Sequence, residues 1–261
     1  MIKAVFFDVD GTLLSFKTHR IPSSTLGTIE TLQKKGIKTF IATGRHKREL
    51  EVLDSLVFDA YISLNGSYCY DNEGQVIYKK SIPANDMETL IKIQQSESRF
   101  PCFLGTEHSM ELNFEDENVL KMYELINLTR VNPIPFDRWR EIARKEVFQL
   151  IAFFKPDREE EIMSSMPGAE ATRWVSLFAD IVPGGISKRI GIDKILEHYN
   201  IPLKDTIAFG DGGNDIEMLK HAGVGVAMGN AADHVKAAAD YVTGNVDDDG
   251  IYDALKHFGI L

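Results

Sequence analysis

The sequence predicts an α/β protein: a Rossmann-like parallel sheet core interrupted by an inserted α+β domain. Three observations carry this. Period-two apolar runs alternate with period-3.6 runs at the start of the chain and again from Lys188 onward, as successive βα units do. Between Pro83 and Val182 helical and extended stretches follow one another in irregular order. Polar residues stand directly after several apolar runs, where the strands of a parallel sheet present ligands.

Taken in order, Ile2 to Phe7 is an apolar run broken only by Lys3 and short enough to be a buried strand. A helix is expected from about Ser24 to Lys35, a strand from Ile37 to Ala42, a helix from about Lys47 to Leu56 and a strand from Tyr61 to Leu64. Asn72, Glu73 and Gly74 then separate two alternating runs and read as a hairpin turn. In the insert, ANDMETLIKIQQ has helical spacing, CFLG and SMELNF read as extended, and Val119 to Leu128 as a helix. VNPIP is a breaker, VFQLIAFF a strand, DREEEIMSSM a helix and ATRWVSLFADIV an extended run. Alternation resumes with helix Lys188 to Tyr199, strand Thr206 to Phe209, helix Asp215 to His221 and strand Val224 to Ala227. Helices near Ala232 to Ala239 and Ile251 to Phe258 complete the chain. The expected domains are a core made of residues 1–82 and 183–261 and an insert of residues 83–182.

The chain has 261 residues, 44% of them hydrophobic, enough to bury a full core. A formal charge of -10, with no long basic stretch, argues against nonspecific nucleic-acid binding, so an anionic substrate needs positive charge supplied locally. Cys69 and Cys102 are the only cysteines, which suggests neither a disulfide framework nor a zinc site and fits a reducing, cytoplasmic compartment. Too few apolar residues precede Asp8 for a signal peptide, and no run has the length of a membrane span. Oligomeric state leaves no mark in the sequence.

Asp8 and Asp10 flank Val9 at the tip of the first strand, so both carboxylates point to the same side and repel. A fold has no use for such a pair unless a cation or a ligand is organised beside it. A cluster of Asp8 with Asp211 of TIAFGDGGND suits magnesium, a hard cation that prefers oxygen donors. Thr43 and the Gly44 amide stand where a strand turns into a helix, a place suited to an anion, and Lys188 offers a compact positive charge. A calcium-loop reading of D-x-D-G fails, because Leu13 and Leu14 stand where further ligands are needed.

DVDGT, the Thr43 of ATGR, Lys188 and GDGGND resemble, in order, the four motifs of the haloacid dehalogenase superfamily. The insert resembles the C2B-type cap of its Cof-like sugar-phosphate phosphatases. The resemblance implies that Asp8 is a nucleophile forming an aspartyl phosphate and that Asp10 is the general acid and base. It implies that Asp8, Asp211 and the Asp10 carbonyl bind Mg2+, with Asp215 orienting neighbours or the metal's waters. Thr43 and Asn214 would hydrogen-bond the phosphoryl group, and Lys188 would steady it together with Asp8. Asp10 argues against a dehalogenase, which lacks that acid, and the absence of spans argues against a P-type ATPase.

The expected activity is Mg2+-dependent hydrolysis of small phosphorylated metabolites, sugar (hexose) phosphates foremost, with flavin mononucleotide and pyridoxal phosphate also open. A phosphomutase or phosphotransferase using the same intermediate is the nearest alternative, and a non-catalytic phosphometabolite sensor is an alternative of another class. Arg45, a cation at a helix start, opposes the helix dipole and wants a partner, which makes it a candidate for substrate. Asp180, in the apolar run FADIVP at the end of the insert, is a candidate acceptor for sugar hydroxyls. Glu107, His108 and Glu111 are weaker candidates in the insert, and Asp247 to Asp249 read as a solvated loop or helix start.

Overall fold

The computed structural model describes residues 1–53, 56–126, 129–173 and 175–261. Ala4–Phe7 forms β1, buried on both faces: Phe6 packs into one apolar cluster and Phe7 into another, as period-two geometry requires. Helix α1 (Ser23–Lys34) leads to β2 (Lys38–Ala42), and a 3-10 segment (Lys47–Leu53) to β3 (Ala60–Ser63). β4 (Tyr68–Asp71) and β5 (Val76–Lys79) form the hairpin read around Asn72 to Gly74.

The insert contributes α2 (Ala84–Gln94), β6 (Cys102–Gly105), β7 (Met110–Leu112), α3 (Glu117–Ile126) and α4 (Phe136–Ala143). It continues with β8 (Gln149–Ala152), α5 (Glu159–Ser164), β9 (Ala169–Thr172) and β10 (Ala179–Pro183). Then come α6 (Lys188–Tyr199), β11 (Thr206–Gly210), α7 (Ile216–His221) and β12 (Val224–Ala227). Last are α8 (Asp233–Lys236), β13 (Tyr241–Val242) and α9 (Gly250–His257).

Two sheets result. The larger runs β13-β12-β11-β1-β2-β3-β4-β5; it is parallel from β13 to β3 and antiparallel at β4 and β5, so the core sheet is mixed rather than wholly parallel. β1 lies at its middle, between β2 and β11, where the strand order reverses and a crevice opens beyond the carboxyl ends. One face packs against α1 and α9 through Ile29, Leu32, Ile251 and Leu255, the other against α6 and α7 through Ile192, Ile195 and Met218.

The smaller sheet runs β7-β6-β8-β10-β9 and is antiparallel throughout. Helices α2 and α4 cover its outer face through Leu90, Ile91 and Trp139. Its inner face joins Phe103, Phe148 and Phe178 to Leu64 and Tyr68 of the core. The fold is therefore α/β with an α+β cap.

Several elements differ from the sequence reading. The segment after VNPIP, left without a helix, is α4: Pro135 precedes its first residue, and Trp139, Ile142 and Ala143 lie buried on one face. The extended run 171–182 divides between the antiparallel neighbours β9 and β10, with Trp174 outside the described residues. The helix expected over 47–56 is a 3-10 segment ending at Leu53, with 54–55 outside the described residues, as are 127–128 at the end of the helix expected from Val119. The two-residue β13 has no counterpart in the reading.

Candidate active site

β1 delivers Asp8 to the crevice, and the ladder carries on one step further, the Asp8 amide donating to the Phe209 carbonyl at 3.0 Å. The chain then turns at Gly11, with φ +81°; a Cβ there would sit 2.2 Å from Asp211 Oδ2, so glycine is what lets the first strand's loop approach the loop after β11. Lys188, the first residue of α6, is fully buried. Its Nζ donates to Asp8 Oδ1 and to Asp215 Oδ1, both at 2.6 Å. Asp215 Oδ2 accepts the amides of Asp211 (3.0 Å) and Gly212 (2.8 Å), so both its oxygens are engaged. Asp211 accepts from Thr12 Oγ1 and from Asn230 Nδ2, each at 3.1 Å, and Asn230 also donates to the Gly11 carbonyl at 2.8 Å.

Oxygens of Asp8, Asp211 and Asp215 lie within 4.8 Å of one another. One lysine does not balance three carboxylates. Burial, then Asp215, drives Asp8 well above the ordinary carboxylate range in spite of Lys188. Burial, then Asp215, also pushes Asp211 up to about 7, against the pull of Thr12. Burial pulls Lys188 down, but Asp215 and Asp8 outweigh it and hold the ammonium above its ordinary value. An all-oxygen set in surplus of negative charge fits a hard divalent cation, with Asp8 and Asp211 the better placed donors, because Asp215 is occupied by Lys188 and two amides.

Asp10 stands apart from that cluster. Its carboxylate is gripped by Arg45 on both oxygens, Nε to Oδ2 at 2.8 Å and Nη2 to Oδ1 at 2.7 Å. The partner that Arg45 wanted is thus Asp10. Thr43, buried at the end of β2, accepts the Arg45 amide on Oγ1 at 3.1 Å.

The cap closes the crevice from above. Asn65 lies in a stretch of three successive left-handed residues, Leu64, Asn65 and Gly66 (φ 51°, 55° and 101°), and two of them are not glycine. Its Nδ2 donates to Gln149 Oε1 and Asp180 Oδ2, each at 3.1 Å, while its Oδ1 accepts from Asn214 Nδ2 at 3.0 Å. Gln149 Nε2 donates to the Gly44 carbonyl at 3.2 Å. Asp180 faces Ile151 across the β8–β10 pair, and burial pushes its carboxyl up to about 7, against the lowering hydrogen bond from Asn65.

One cavity of about 270 Å³ touches Asp8, Asp10, Thr43, Gly44, Arg45, Asp180, Asp211 and Asn214 together, with Gln149, Ile151 and Phe178 on the cap side. Lys188 lies behind Asp8. Glu107, His108 and Glu111 are not among its lining residues, and Asp249 precedes α9 while Asp247 pairs with Lys17 at 3.1 Å. Asn65, Gln149 and Asn230 were not singled out from sequence. Asn65 and Asn230 follow β3 and β12 at their carboxyl ends, and Gln149 is a polar residue in an apolar strand, as Asp180 is; the same rules reach all three.

The chain matches the model of the haloacid dehalogenase-like hydrolases over residues 5–255, and it belongs to that family. A solved structure described as the haloacid dehalogenase subclass IIB sugar phosphatase BT4131 superposes with a TM-score of 0.90 at 45% identity, covering 99% of this chain and 100% of that one. YkrA of Bacillus subtilis (strain 168) is 39% identical over 261 residues, 99% of this chain and 98% of its own. The 5-amino-6-(5-phospho-D-ribitylamino)uracil phosphatase YitU of the same organism is 29% identical, covering 97% and 96%. The protein is an enzyme, a phosphatase with the Cof-like (C2B) cap. Among the described residues no helix is long and apolar enough to cross a membrane.

Proposed function

We propose that the protein is a Mg2+-dependent, cytoplasmic phosphatase of small phosphorylated metabolites with hydroxylated leaving groups, sugar (hexose) phosphates foremost, working through an aspartyl phosphate on Asp8. The observation that carries this is Asp8 itself, a buried carboxylate 2.6 Å from Lys188 and beside Asp211, at the floor of a cavity whose cap wall bears Gln149 and Asp180. BT4131 is described as a sugar phosphatase, and YitU is named for a ribityl phosphate; both leaving groups are polyols, which supports a wall of hydrogen-bond acceptors and amides. Residues 83–182 act as the cap over a core of 1–82 and 183–261.

Asp8, Asp211 and the Asp10 carbonyl hold the cation, with Asp215 steadying the Asp211 loop and Lys188. When bound, Mg2+ supplies the positive charge that lets an anionic nucleophile meet an anionic ester. Asp8 attacks phosphorus while Lys188 holds the Asp8 carboxylate in place together with Asp215. Asp10 gives its proton to the departing oxygen and then takes one from the attacking water. Thr43, the Gly44 amide and Asn214 orient the phosphoryl oxygens, and Asp180 accepts from a hydroxyl of the leaving group.

The test is a panel of hexose phosphates, flavin mononucleotide and pyridoxal phosphate, assayed with Mg2+ and with chelator for inorganic phosphate and for isomeric sugar phosphate. Free phosphate is expected, lost on chelation, and Asp8→Asn should lower turnover by about 10⁴-fold or more. An isomeric product would make the protein a mutase, and tight binding without turnover would make it a sensor.

A further inference from the structure

Arg45 is where the catalytic floor meets the cap. Its two-pronged contact with Asp10 fixes the plane of that carboxylate. The same Nη2 donates to the carbonyl of Ile126, the last residue of cap helix α3, at 3.1 Å, and Nη1 donates to the Glu49 carbonyl at 3.2 Å. Four of the five N–H groups a guanidinium carries are then in use, and the side chain is buried. A phosphoryl group would have to displace a partner to claim more than one bond.

The residues on either side make cap contacts as well. The Gly44 carbonyl accepts from Gln149 of β8 at 3.2 Å, and His46 Nε2 lies 3.0 Å from the Thr106 carbonyl in the β6–β7 turn. Burial lowers the His46 ring to about 4, so it is neutral and donates through Nε2 while Nδ1 accepts the Arg48 amide. Three consecutive residues thus touch three different parts of the cap.

We propose that Arg45 is a positioning residue for the acid–base step: it aims the Asp10 carboxyl at the leaving oxygen and takes its own orientation from the docked cap through Ile126. This rests on the phosphatase chemistry assigned to Asp8 and Asp10 above. In the first half-reaction a bond forms from an Asp8 oxygen to phosphorus, the bond to the leaving oxygen breaks with its electron pair, and the Asp10 proton passes to that oxygen. In the second, water attacks phosphorus, its proton returns to Asp10, and the bond from phosphorus to Asp8 breaks. A carboxyl free to rotate would spend much of its time out of reach of either proton. Arg45 removes that freedom.

The experiment contrasts leaving groups in the full-length, Mg2+-loaded enzyme, because an aryl oxygen departs without a proton and an alkyl oxygen does not. Single-turnover release of leaving group is followed for p-nitrophenyl phosphate and for a hexose phosphate. Arg45→Lys should slow the hexose phosphate by about 10²-fold and the aryl ester by less than about 5-fold, with KM for each within about threefold of wild type. Inhibition by inorganic phosphate should stay within about twofold. Equal losses with both esters overturn the proposal: with weakened phosphate inhibition they make Arg45 a phosphate ligand, and with unchanged inhibition a purely structural residue. With Asp10→Asn already in place, Arg45→Lys should cost the hexose phosphate no more than about a further twofold, and a larger loss also overturns it. If the lysine variant does not fold, Arg45→Gln, which keeps an amide donor on a similar stem, is read by the same criteria. A wild-type enzyme that hydrolyses neither ester defeats the phosphatase reading itself, and this proposal with it.

Discussion

Among single residues, surroundings decide what each carboxylate is able to do. Asp180 is pushed up to about 7, chiefly by burial, from an ordinary value of 3.8. Such a group binds its proton more tightly folded than unfolded, so the fold loses stability as pH rises from the unfolded value of 3.8 towards the folded one and carries the full penalty above it. Asp180→Asn removes the charge at nearly constant shape. The melting temperature of the variant relative to wild type should be flat below about pH 4, rise by about 2–4 °C or more between about pH 4 and pH 7, and level off above that, the shift expected for roughly 1 kcal/mol in a chain of this size. A difference that does not change with pH would mean that Asp180 is ionised throughout. Asp180 was legible because an acid interrupts an apolar strand. Its partners were less so: Asn65 and Gln149 lie 84 residues apart, and no local period joins them. The grip of Arg45 on Asp10 spans 35 residues and was equally hidden, although the need of Arg45 for some anionic partner could be argued from its position alone.

The elements that hold the site were legible where one physical signal dominated. β1, α6 and β11 each have a clean apolar period, and each delivers one of Asp8, Lys188 and Asp211 at or just beyond its end. The breaker VNPIP hid α4, because a proline that stops one element also starts the next. β9 and β10 merged because apolar character continues through the turn between them, and β13 is too short to show a period. The join between elements is close at Gly66, whose missing Cβ would lie 2.2 Å from the Ser187 carbonyl oxygen at the start of α6, at a φ of +101°. Gly66→Ala therefore has to move backbone rather than a flexible side chain, and Lys188 is the next residue along. A loss of about 2–3 kcal/mol in urea unfolding is expected, with turnover falling more than substrate affinity as the ammonium drifts from Asp8. Retention of both would mean that α6 can shift without cost.

Seen whole, the molecule gathers acids at the meeting point of its two layers. Asp8, Asp10, Asp211 and Asp215 converge there, and among the described residues only Lys188 and Arg45 are bonded to them from the cationic side. The net charge of -10 offers no relief from the surroundings. The arrangement costs stability, as the upward displacement of both Asp8 and Asp211 records. A divalent cation held by the folded site and not by the unfolded chain must then stabilise the fold. At a hundredfold excess over its dissociation constant the gain is about 2.7 kcal/mol. Mg2+ should raise the melting temperature relative to a monovalent salt of equal ionic strength. Asp211→Asn should behave in the opposite sense: it removes one of the repelling charges, so the metal-free variant melts higher than wild type, yet it loses a ligand and gains little from Mg2+. A Mg2+ shift that survives in Asp211→Asn would place the cation elsewhere. A metal-free variant that melts lower would mean that the bonds from Thr12 and Asn230 outweigh the repulsion they sit within.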